Sequence, residues 1–332
     1  MVGPALPPPL RVGVLGCADI ARRRMLPAMA ASGDIEIAAV ASRDADRAAR
    51  TAREFGCLAV HGYAELLALD EVDAVYVPLP AALHARWVEA ALRADKHVLA
   101  EKPLTIERAR TADLLALADA RGLALLENVM FVHHPQHTAV RELLADGAIG
   151  TLRGFQSAFT VPRRPAGDVR HDPELGGGAL WDTGVYPLRA ALHLLGPELE
   201  LVAALRGSGP GDRVDTDGAA LLGTPAGVFA QIGYGLDHAY RSSYELVGSE
   251  GRITLDRAFT PPADHSPVIR LERGSGTEEI VLEPHDQVAA TLTAFVSAAR
   301  AGRAPRDTVA DCPRQAALLE SALLKGAQSA NS

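Results

Sequence analysis

The sequence predicts an α/β protein of two domains, in which a doubly wound parallel sheet precedes an α+β domain with a large, mostly antiparallel open sheet. Up to residue 127, short β-branched runs alternate with segments of helical period, which is typical of a parallel sheet covered on both faces. From residue 151, strand-like runs follow one another with turn residues between most of them, which favours antiparallel pairing. A chain of 332 residues, 48% of them hydrophobic, also exceeds what one core usually organises. We therefore expect domains at residues 1–127 and 128–332.

The first domain is predicted to contain five clear strands with helices between them. The strands are expected at residues 11–15, 35–41, 73–77, 97–100 and 123–127. The helices are expected at residues 19–31, 45–55, 83–94 and 106–121, with a weaker strand–helix pair within 58–69. Gly56 and Gly122 follow helical segments, where glycine commonly ends a helix in the left-handed conformation.

The second domain is predicted to be built mainly from consecutive strands. They are expected at residues 151–161, 199–207, 219–223, 227–236, 243–248, 252–256, 268–272 and 279–282. One helix interrupts them at 178–195 and ends at Gly196-Pro197. Helices at 287–300 and 312–329 close the chain and are candidates to pack back on the first domain.

Composition and charge argue against several classes of protein. The formal net charge is −8, so we expect no binding to nucleic acid or to anionic membranes. No apolar stretch reaches the roughly 18 residues of a membrane helix, and the first ten residues lack the pattern of a secretory signal. The three cysteines, Cys17, Cys57 and Cys312, are too far apart in sequence to suggest a disulfide framework or a metal motif. We therefore expect a cytoplasmic protein without a metal.

The first predicted strand runs directly into a glycine loop. The loop and helix start consist of Gly16, Cys17, Ala18, Asp19, Ile20 and Ala21. The pattern G-x-G-x-x-G/A provides a tight turn, a close backbone approach, a small residue against the strand, and helix N–H groups for a pyrophosphate. Ala18 at the second position departs from it, because its methyl group must clear the phosphates. An ordinary tight turn is the alternative, but the flanking strand and helix favour dinucleotide binding by these six residues.

The end of the second predicted strand favours NADP over NAD. An NAD enzyme usually has a carboxylate at this point for the ribose hydroxyls. Here Ser42 and Arg43 stand at the tip, and a guanidinium suits a 2′-phosphate. Asp44 is better placed to cap the next helix, although it keeps NAD open as an alternative.

A rare lysine stands at the carboxyl end of a later strand. The chain has only three lysines, and Lys102 follows the strand-like run 97–100 and Glu101. Open α/β sheets bind ligands at this end of their strands. Hydride transfer to a carbonyl puts negative charge on its oxygen, which a nearby cation or acid stabilises and protonates. Lys102 is therefore a candidate acid that Glu101 could orient, and an ordinary surface lysine is the alternative.

Five sequence segments form a combination more specific than any one of them. They are the glycine loop at 13–21, Leu79-Pro80 with His84, the run 96–103, His134-Pro135-Gln136 and the triple-glycine run 176–187. In this combination and order, the chain resembles the Gfo/Idh/MocA (glucose–fructose oxidoreductase / inositol dehydrogenase) family. The matching segments span residues 11–190. The resemblance implies a Rossmann domain followed by a domain for substrate binding and oligomerisation.

The resemblance implies roles for Lys102, Asp182 and Tyr186. Lys102 matches the lysine of the family's Glu-Lys-Pro motif and is implied to be the proton donor. Asp182 matches the aspartate after the triple glycine, near both cofactor and substrate. Tyr186 stands where many members have a histidine, which argues against an inositol-dehydrogenase-like reaction and suggests a second donor. Positions i and i+4 share a helix face, so Asp182 and Tyr186 can both face the crevice; a core tyrosine bonded to backbone is the alternative.

The resemblance also implies further contacts to cofactor and substrate. Those expected along the cofactor are Tyr63, Leu79, Pro80, His84 and Glu101, with Arg163 at the nicotinamide end. Asn128, His134 and Gln136 are expected at the sugar pocket, and Asn128 replaces a glutamate that related branches often have. His133, His134 and His137 lack the accompanying cysteines or carboxylates of a metal site.

Within the family, residues 18–28 resemble ketoreductases of antibiotic deoxysugar pathways. This implies NADPH-dependent reduction of the C3 carbonyl of a 3,4-diketo-2,6-dideoxyhexose carried on dTDP. Arg22, with its neighbours Arg23 and Arg24, and Arg241 are candidates for the diphosphate. The alternatives are an NAD(P)-dependent dehydrogenase of a free sugar or trans-dihydrodiol, and a cofactor-binding regulator without turnover. A broad sheet with one uncovered face also predicts a homodimer or homotetramer.

Overall fold

The computed structural model describes residues 7–209 and 211–329, and eleven of its elements form the first domain. In chain order they are β1 (Leu10–Leu15), α1 (Leu26–Ala31), β2 (Ile35–Ser42), α2 (Ala45–Phe55), β3 (Leu58–His61), α3 (Tyr63–Leu67), β4 (Ala74–Val77), α4 (Ala81–Arg93), β5 (His97–Glu101), α5 (Arg108–Arg121) and β6 (Leu125–Asn128). A π-helical turn, Ala21–Met25, precedes α1, so the helix predicted from residue 19 begins irregularly.

The first sheet has the strand order β3-β2-β1-β4-β5-β6 with all neighbours parallel, which is the order of a dinucleotide-binding α/β fold. Local sequence fixes the helix ends. Asp44 caps α2 by accepting the N–H of Arg47 at 3.0 Å, as predicted. Gly56 and Gly122 end α2 and α5 with φ of 67° and 65°, where glycine avoids the strain of a side chain.

The elements of the second domain then follow, and its strands come in the predicted order. These are α6 (Pro135–Ala145), β7 (Leu152–Thr160), α7 (Val185–Leu195), β8 (Glu200–Gly207), β9 (Asp217–Gly223), β10 (Phe229–Gly235), β11 (Arg241–Gly248), β12 (Gly251–Asp256), β13 (Val268–Arg273), β14 (Gly276–Val281), α8 (Gln287–Arg300) and α9 (Arg306–Ser329). The helix predicted at 178–195 consists of a π-helical turn, Leu180–Gly184, and α7.

The second sheet has eight strands in the order β14-β13-β12-β11-β7-β10-β9-β8. In the described part of the chain, β7 and β10 pair in parallel and all other neighbours are antiparallel. One face packs with α7 and α9 around buried Phe155 and Tyr244. The opposite face exposes large apolar side chains, with Leu205 63% and Phe229 39% exposed. The two sheets and their connections confirm the predicted fold class.

Helix α8 packs on the first sheet although it lies near the end of the chain. Its residues Val288, Leu292 and Phe295 share a buried cluster with Val12 and Tyr76 of the first sheet. Elements that are distant in sequence therefore share one buried cluster in the first domain.

Two kinds of feature are absent from the part of the chain that the structure describes. Across residues 7–209 and 211–329, no helix combines the length and the apolar character that a membrane span requires. The same residues contain no group of three or more histidine, cysteine or carboxylate side chains able to hold a metal ion.

Candidate active site

Lys102 follows β5 directly, at the carboxyl end of the first sheet, and its side chain meets the helical segment of the second domain. Its Nζ donates to the backbone carbonyl of Asp182 at 2.7 Å and to Asp182 Oδ1 at 2.9 Å. The Lys102 side chain is only 11% exposed. An ammonium has three N–H donors, so one donor remains after these two bonds. The peptide bond to Pro103 is cis.

The local helix geometry explains why the Asp182 carbonyl can accept from Lys102. Asp182 lies in the π-helical turn Leu180–Gly184, in which carbonyls pair with N–H groups five residues later. The residue five positions after Asp182 is Pro187, which has no N–H. The carbonyl therefore has no π-type N–H partner five residues later, and it accepts from the ammonium.

Arg170 holds the other side of the Asp182 carboxylate. Its Nε donates to Asp182 Oδ2 at 2.6 Å, and its Nη1 donates to Asp168 Oδ1 at 3.1 Å. Arg170 was not predicted as a site residue. It lies in an irregular segment between β7 and the triple glycine, and no motif distinguishes it from the other arginines there. One carboxylate is thus shared by two cations.

These contacts shift the pKa values of both partners. Burial raises the pKa of Asp182, but the charges of Lys102 and Arg170 outweigh it and hold the pKa well below its usual range. Burial also lowers the pKa of Lys102, whereas Asp182 and Tyr186 raise it, and the net effect is a pKa above the ordinary lysine value. The site therefore contains a protonated ammonium at neutral pH.

Tyr186 stands beside this ammonium, as predicted. The Lys102 Nζ lies 5.0 Å from the centroid of the Tyr186 ring, within the range of a cation–π contact. Phe159 and Phe259 pack against the ring with centroid distances of 4.7 and 5.8 Å. Burial raises the pKa of Tyr186, which keeps the phenol protonated. Among the described residues, its hydroxyl has no hydrogen-bond partner, so it can donate to a ligand.

The Glu101 carboxylate accepts from groups other than the Lys102 ammonium. Its Oε1 accepts from Tyr76 Oη and from Asn128 Nδ2, both at 2.7 Å, and all three residues are buried. The expectation that Glu101 orients the ammonium is wrong in this structure, because Asp182 makes that contact. Glu101 and Asn128 are instead a buried hydrogen-bonded pair, and their predicted contacts to cofactor and sugar remain predictions.

The glycine loop has the geometry that the sequence predicts. Gly16 has a φ of 123°, and a Cβ there would lie 3.1 Å from Leu79 Cδ2 and 3.8 Å from the Tyr63 hydroxyl. Three predicted cofactor residues therefore converge at one point. His84 is buried and bridges two loops, since its Nε2 lies 2.7 Å from the Leu79 carbonyl oxygen and its Nδ1 lies 2.7 Å from that of Pro103.

One arginine follows β2 at its tip, and a second, on α2, reaches the glycine loop. Arg43 is exposed, whereas the carboxylate of Asp44 is engaged as the α2 cap. Ser42 Oγ accepts the N–H of Asp44 at 3.1 Å. Arg47 Nη2 donates to the Cys17 carbonyl at 2.6 Å, which brings a second guanidinium to the loop that was not predicted.

Three predicted substrate or cofactor residues have other contacts. Arg163 pairs with Asp212 at 2.6 Å and with Asp237 at 3.0 Å. The Asp182 carboxylate is paired with Arg170 instead. Arg22 lies 3.6 Å from Glu54, with both side chains about half exposed. Arg241 Nε donates to Ser243 Oγ at 3.1 Å. To contact a diphosphate, Arg22 and Arg241 would have to leave these partners.

His134 and Gln136 lie in the interior, where they serve the packing of α6. His134 caps this helix by accepting the N–H of Gln136 at 3.2 Å, and it is 1% exposed. Gln136 is fully buried and donates to the Ala258 carbonyl at 3.0 Å. In this conformation neither side chain offers an open surface to a sugar, and their substrate role stays a prediction.

Comparison with known proteins shows which protein family the chain belongs to. The model of the oxidoreductase family with an NAD-binding Rossmann fold matches residues 10–129, and that of the GFO/IDH/MocA C-terminal domain matches residues 137–254. These matches cover more than half of the chain. The chain belongs to the GFO/IDH/MocA family of oxidoreductases, which confirms the resemblance seen in the sequence.

Individual relatives show which members of the family the chain resembles. A Streptomyces violaceoruber protein named dTDP-3,4-didehydro-2,6-dideoxy-alpha-D-glucose 3-reductase is 56% identical over 88% of this chain and 85% of its own. A NADP(+)-dependent D-xylose 1-dehydrogenase from Haloferax volcanii is 34% identical over 89% of this chain and 90% of its own. The structure is similar to that of KijD10, a 3-ketoreductase from Actinomadura kijaniata in complex with NADP and TDP-benzene. That match has a TM-score of 0.93 at 50% identity and covers 96% of this chain and 98% of KijD10.

Proposed function

We propose that this chain is a 3-ketoreductase that uses NADPH to reduce the C3 carbonyl of a dTDP-linked 3,4-diketo-2,6-dideoxyhexose. The observation that carries the proposal is the protonated ammonium of Lys102, which Asp182 holds with one N–H to spare beside the free hydroxyl of Tyr186. The 3-reductase relative from Streptomyces violaceoruber is 56% identical to this chain and the 3-ketoreductase KijD10 is 50% identical, each over most of its length.

The described residues fit a bound NADPH. The positive φ of Gly16 lets the backbone turn tightly between Leu79 and Tyr63, where a side chain would crowd Leu79. The helical segment after the loop presents N–H groups that have no acceptor in their own helix, as a pyrophosphate requires. At the tip of β2, Arg43 is exposed and the nearby carboxylate of Asp44 is engaged, which favours a 2′-phosphate over free ribose hydroxyls.

The reaction needs a proton and charge stabilisation at the sugar oxygen. NADPH, when bound, supplies the hydride. The third N–H of Lys102 donates to the carbonyl oxygen, stabilises the charge that develops there and transfers its proton to form the alcohol. Asp182 keeps the ammonium charged and aimed until that transfer, because it engages two of its three donors. Lys102 regains its proton from solvent through its exposed edge.

Tyr186 assists from the neighbouring position. Its hydroxyl donates a second hydrogen bond to the same oxygen or to the adjacent sugar carbonyl, which orients the ketone. The packing of Phe159 and Phe259 fixes the ring and provides an apolar wall that limits water beside the reacting carbon.

A second candidate substrate class is favoured by the D-xylose dehydrogenase relative at 34% identity. Oxidation of a free sugar would use the same residues in reverse, with Lys102 accepting the proton. Two steady-state assays distinguish the two: reduction of the dTDP-linked diketo sugar with NADPH or NADH, and oxidation of free D-xylose with NADP+ or NAD+. We expect turnover of the sugar nucleotide with NADPH, whereas strong oxidation of D-xylose and none of the former would overturn the proposal.

We also propose that the enzyme is a cytoplasmic homo-oligomer that pairs through the open face of the second sheet. The exposed side chains of Leu205, Leu221 and Phe229 make that face apolar, and such a patch is commonly covered by a second copy. Light scattering at micromolar concentration is expected to give a dimer or tetramer, and a monomer would contradict this.

A further inference from the structure

A buried ion pair joins β6 to α7, the helix that carries Tyr186. Glu127, on β6, pairs through Oε2 with Nη2 of Arg189 on α7, and the two side chains are 1% and 3% exposed. Arg189 lies three residues after Tyr186 in the same helix. An ion pair removed from water in this way adds little net stability over an apolar pair of the same volume, so its presence calls for another explanation.

The second oxygen of Glu127 connects this pair to the backbone near Lys102. Glu127 Oε1 accepts the N–H of Leu104 at 2.9 Å, and Leu104 is the second residue after Lys102. The same oxygen accepts Gln315 Nε2 at 2.6 Å, and Gln315 Oε1 accepts Arg189 Nε at 2.7 Å. Three side chains from β6, α7 and α9 thus form a closed ring of hydrogen bonds.

The ring joins the two elements that carry the proton donors. One end holds the backbone of the turn after Lys102, and the other end holds the helix that carries Tyr186. The members of this ring have little freedom, because Gln315 is 2% exposed and both carboxylate oxygens of Glu127 are engaged. A shift of either element would break a buried, charge-assisted hydrogen bond, which is costly.

We propose that Glu127, Arg189 and Gln315 form a positioning clamp that sets the placement of the Lys102 ammonium relative to Asp182 and Tyr186. The clamp touches neither the ammonium nor the phenol, so its three members are positioning residues. This inference rests on the proposed reduction for its kinetic readout, and on the geometry alone for its structural readout.

Two variants test the clamp without leaving an unpaired charge. Glu127→Asp keeps the carboxylate but shortens it by one methylene, and Gln315→Leu removes two links while the ion pair stays. Asp73→Asn is the control, because it breaks the Arg11–Asp73 pair (2.6 Å) at the amino ends of the central strands β1 and β4, whereas Lys102 lies at the carboxyl end of the sheet. Each purified full chain is assayed for kcat, KM and NADPH binding, and is crystallised with NADPH.

We expect both clamp variants to lose about ten- to hundredfold in kcat, because misplacement of reacting groups by about 1 Å costs that much. KM and the NADPH dissociation constant should stay within about twofold of the wild-type values, and Asp73→Asn should leave kcat unchanged. In the crystals, Lys102 Nζ should move away from its 2.7 and 2.9 Å contacts with Asp182.

Two results would overturn the clamp. One is a wild-type kcat in both variants with Lys102 in place; the other is a parallel loss of kcat, NADPH binding and thermal stability, which indicates a general structural role. If the wild-type chain fails to reduce the diketo sugar nucleotide, the proposed function fails. The crystals still test the clamp in that case: a Lys102 Nζ that has moved away from Asp182 supports it, and an unchanged position contradicts it.

Discussion

Asp182 engages Lys102 through two different atoms, its backbone carbonyl at 2.7 Å and its Oδ1 at 2.9 Å from Nζ. The remaining carboxylate oxygen accepts from Arg170 at 2.6 Å. Asp182 raises the pKa of Lys102 whereas Arg170 lowers it, so the two residues tune one acid in opposite directions. Substitution of either residue should therefore shift the pH dependence of kcat/KM, and the two shifts should be in opposite directions.

The variant Asp182→Asn should shift the pH dependence to lower pH. Lys102 acts as an acid only while protonated, so kcat/KM falls as the pH rises through its pKa. Because the carboxylate charge raises that pKa, its loss lowers the pKa and moves the basic limb of the profile downward. If the basic limb of the pH–rate profile does not move in Asp182→Asn, the ionisation of Lys102 does not determine that limb.

The variant Arg170→Met should shift the same limb to higher pH. Arg170 lowers the pKa of Lys102 through its charge, so removing the guanidinium raises the pKa. Arg164→Met is the matched control, since Arg164 is an exposed arginine of the same segment. A downward shift for Arg170→Met, or equal shifts in both variants, would contradict this view of the carboxylate.

The variant Tyr186→Phe separates assistance from proton donation. If Tyr186 only orients the ketone, loss of one hydrogen bond should lower kcat/KM by about two- to tenfold. If Tyr186 is itself the acid, the loss should reach about 10²–10⁴-fold. Because Phe preserves the ring that packs on Phe159, protein stability should be unchanged, which thermal unfolding can check.

The variant Arg43→Ala tests the choice of cofactor. Loss of a charge-assisted contact to the 2′-phosphate should weaken NADPH binding roughly ten- to hundredfold and leave NADH binding unchanged. Arg50→Ala is the control, because Arg50 is an exposed arginine of α2, the helix that follows Arg43. Equal weakening of NADPH and NADH by Arg43→Ala would show that this guanidinium does not read the phosphate.

Much of the fold could be predicted because local pattern determines it. Strand–helix alternation predicts the first domain, and the consecutive strands predict the second sheet, with most element boundaries within one or two residues of those observed. Lys102, Asp182 and Tyr186 were also predictable, since each stands in a motif of the family and the structure brings them together.

The residues that were missed act through contacts that sequence spacing does not reveal. Arg170 meets Asp182 because an irregular loop folds back, and Glu127 meets Gln315 across 188 positions of the chain. The placement of Gln136 in the interior depends on the Ala258 carbonyl of a distant loop, to which its side chain donates. Such pairings require the tertiary structure.

The central claim is that Lys102 protonates the reduced carbonyl, and Lys102→Ala tests it most directly. Lys96→Ala is the matched control, since Lys96 also donates to two carbonyls, those of Leu69 and Val72, at the other end of β5. Turnover of the dTDP-linked diketo sugar with NADPH is measured in both variants, together with NADPH binding and unfolding. Our account predicts that Lys102→Ala lowers kcat about 10²–10⁴-fold while NADPH still binds, and that Lys96→Ala retains turnover. Near wild-type turnover in a folded Lys102→Ala enzyme would contradict it.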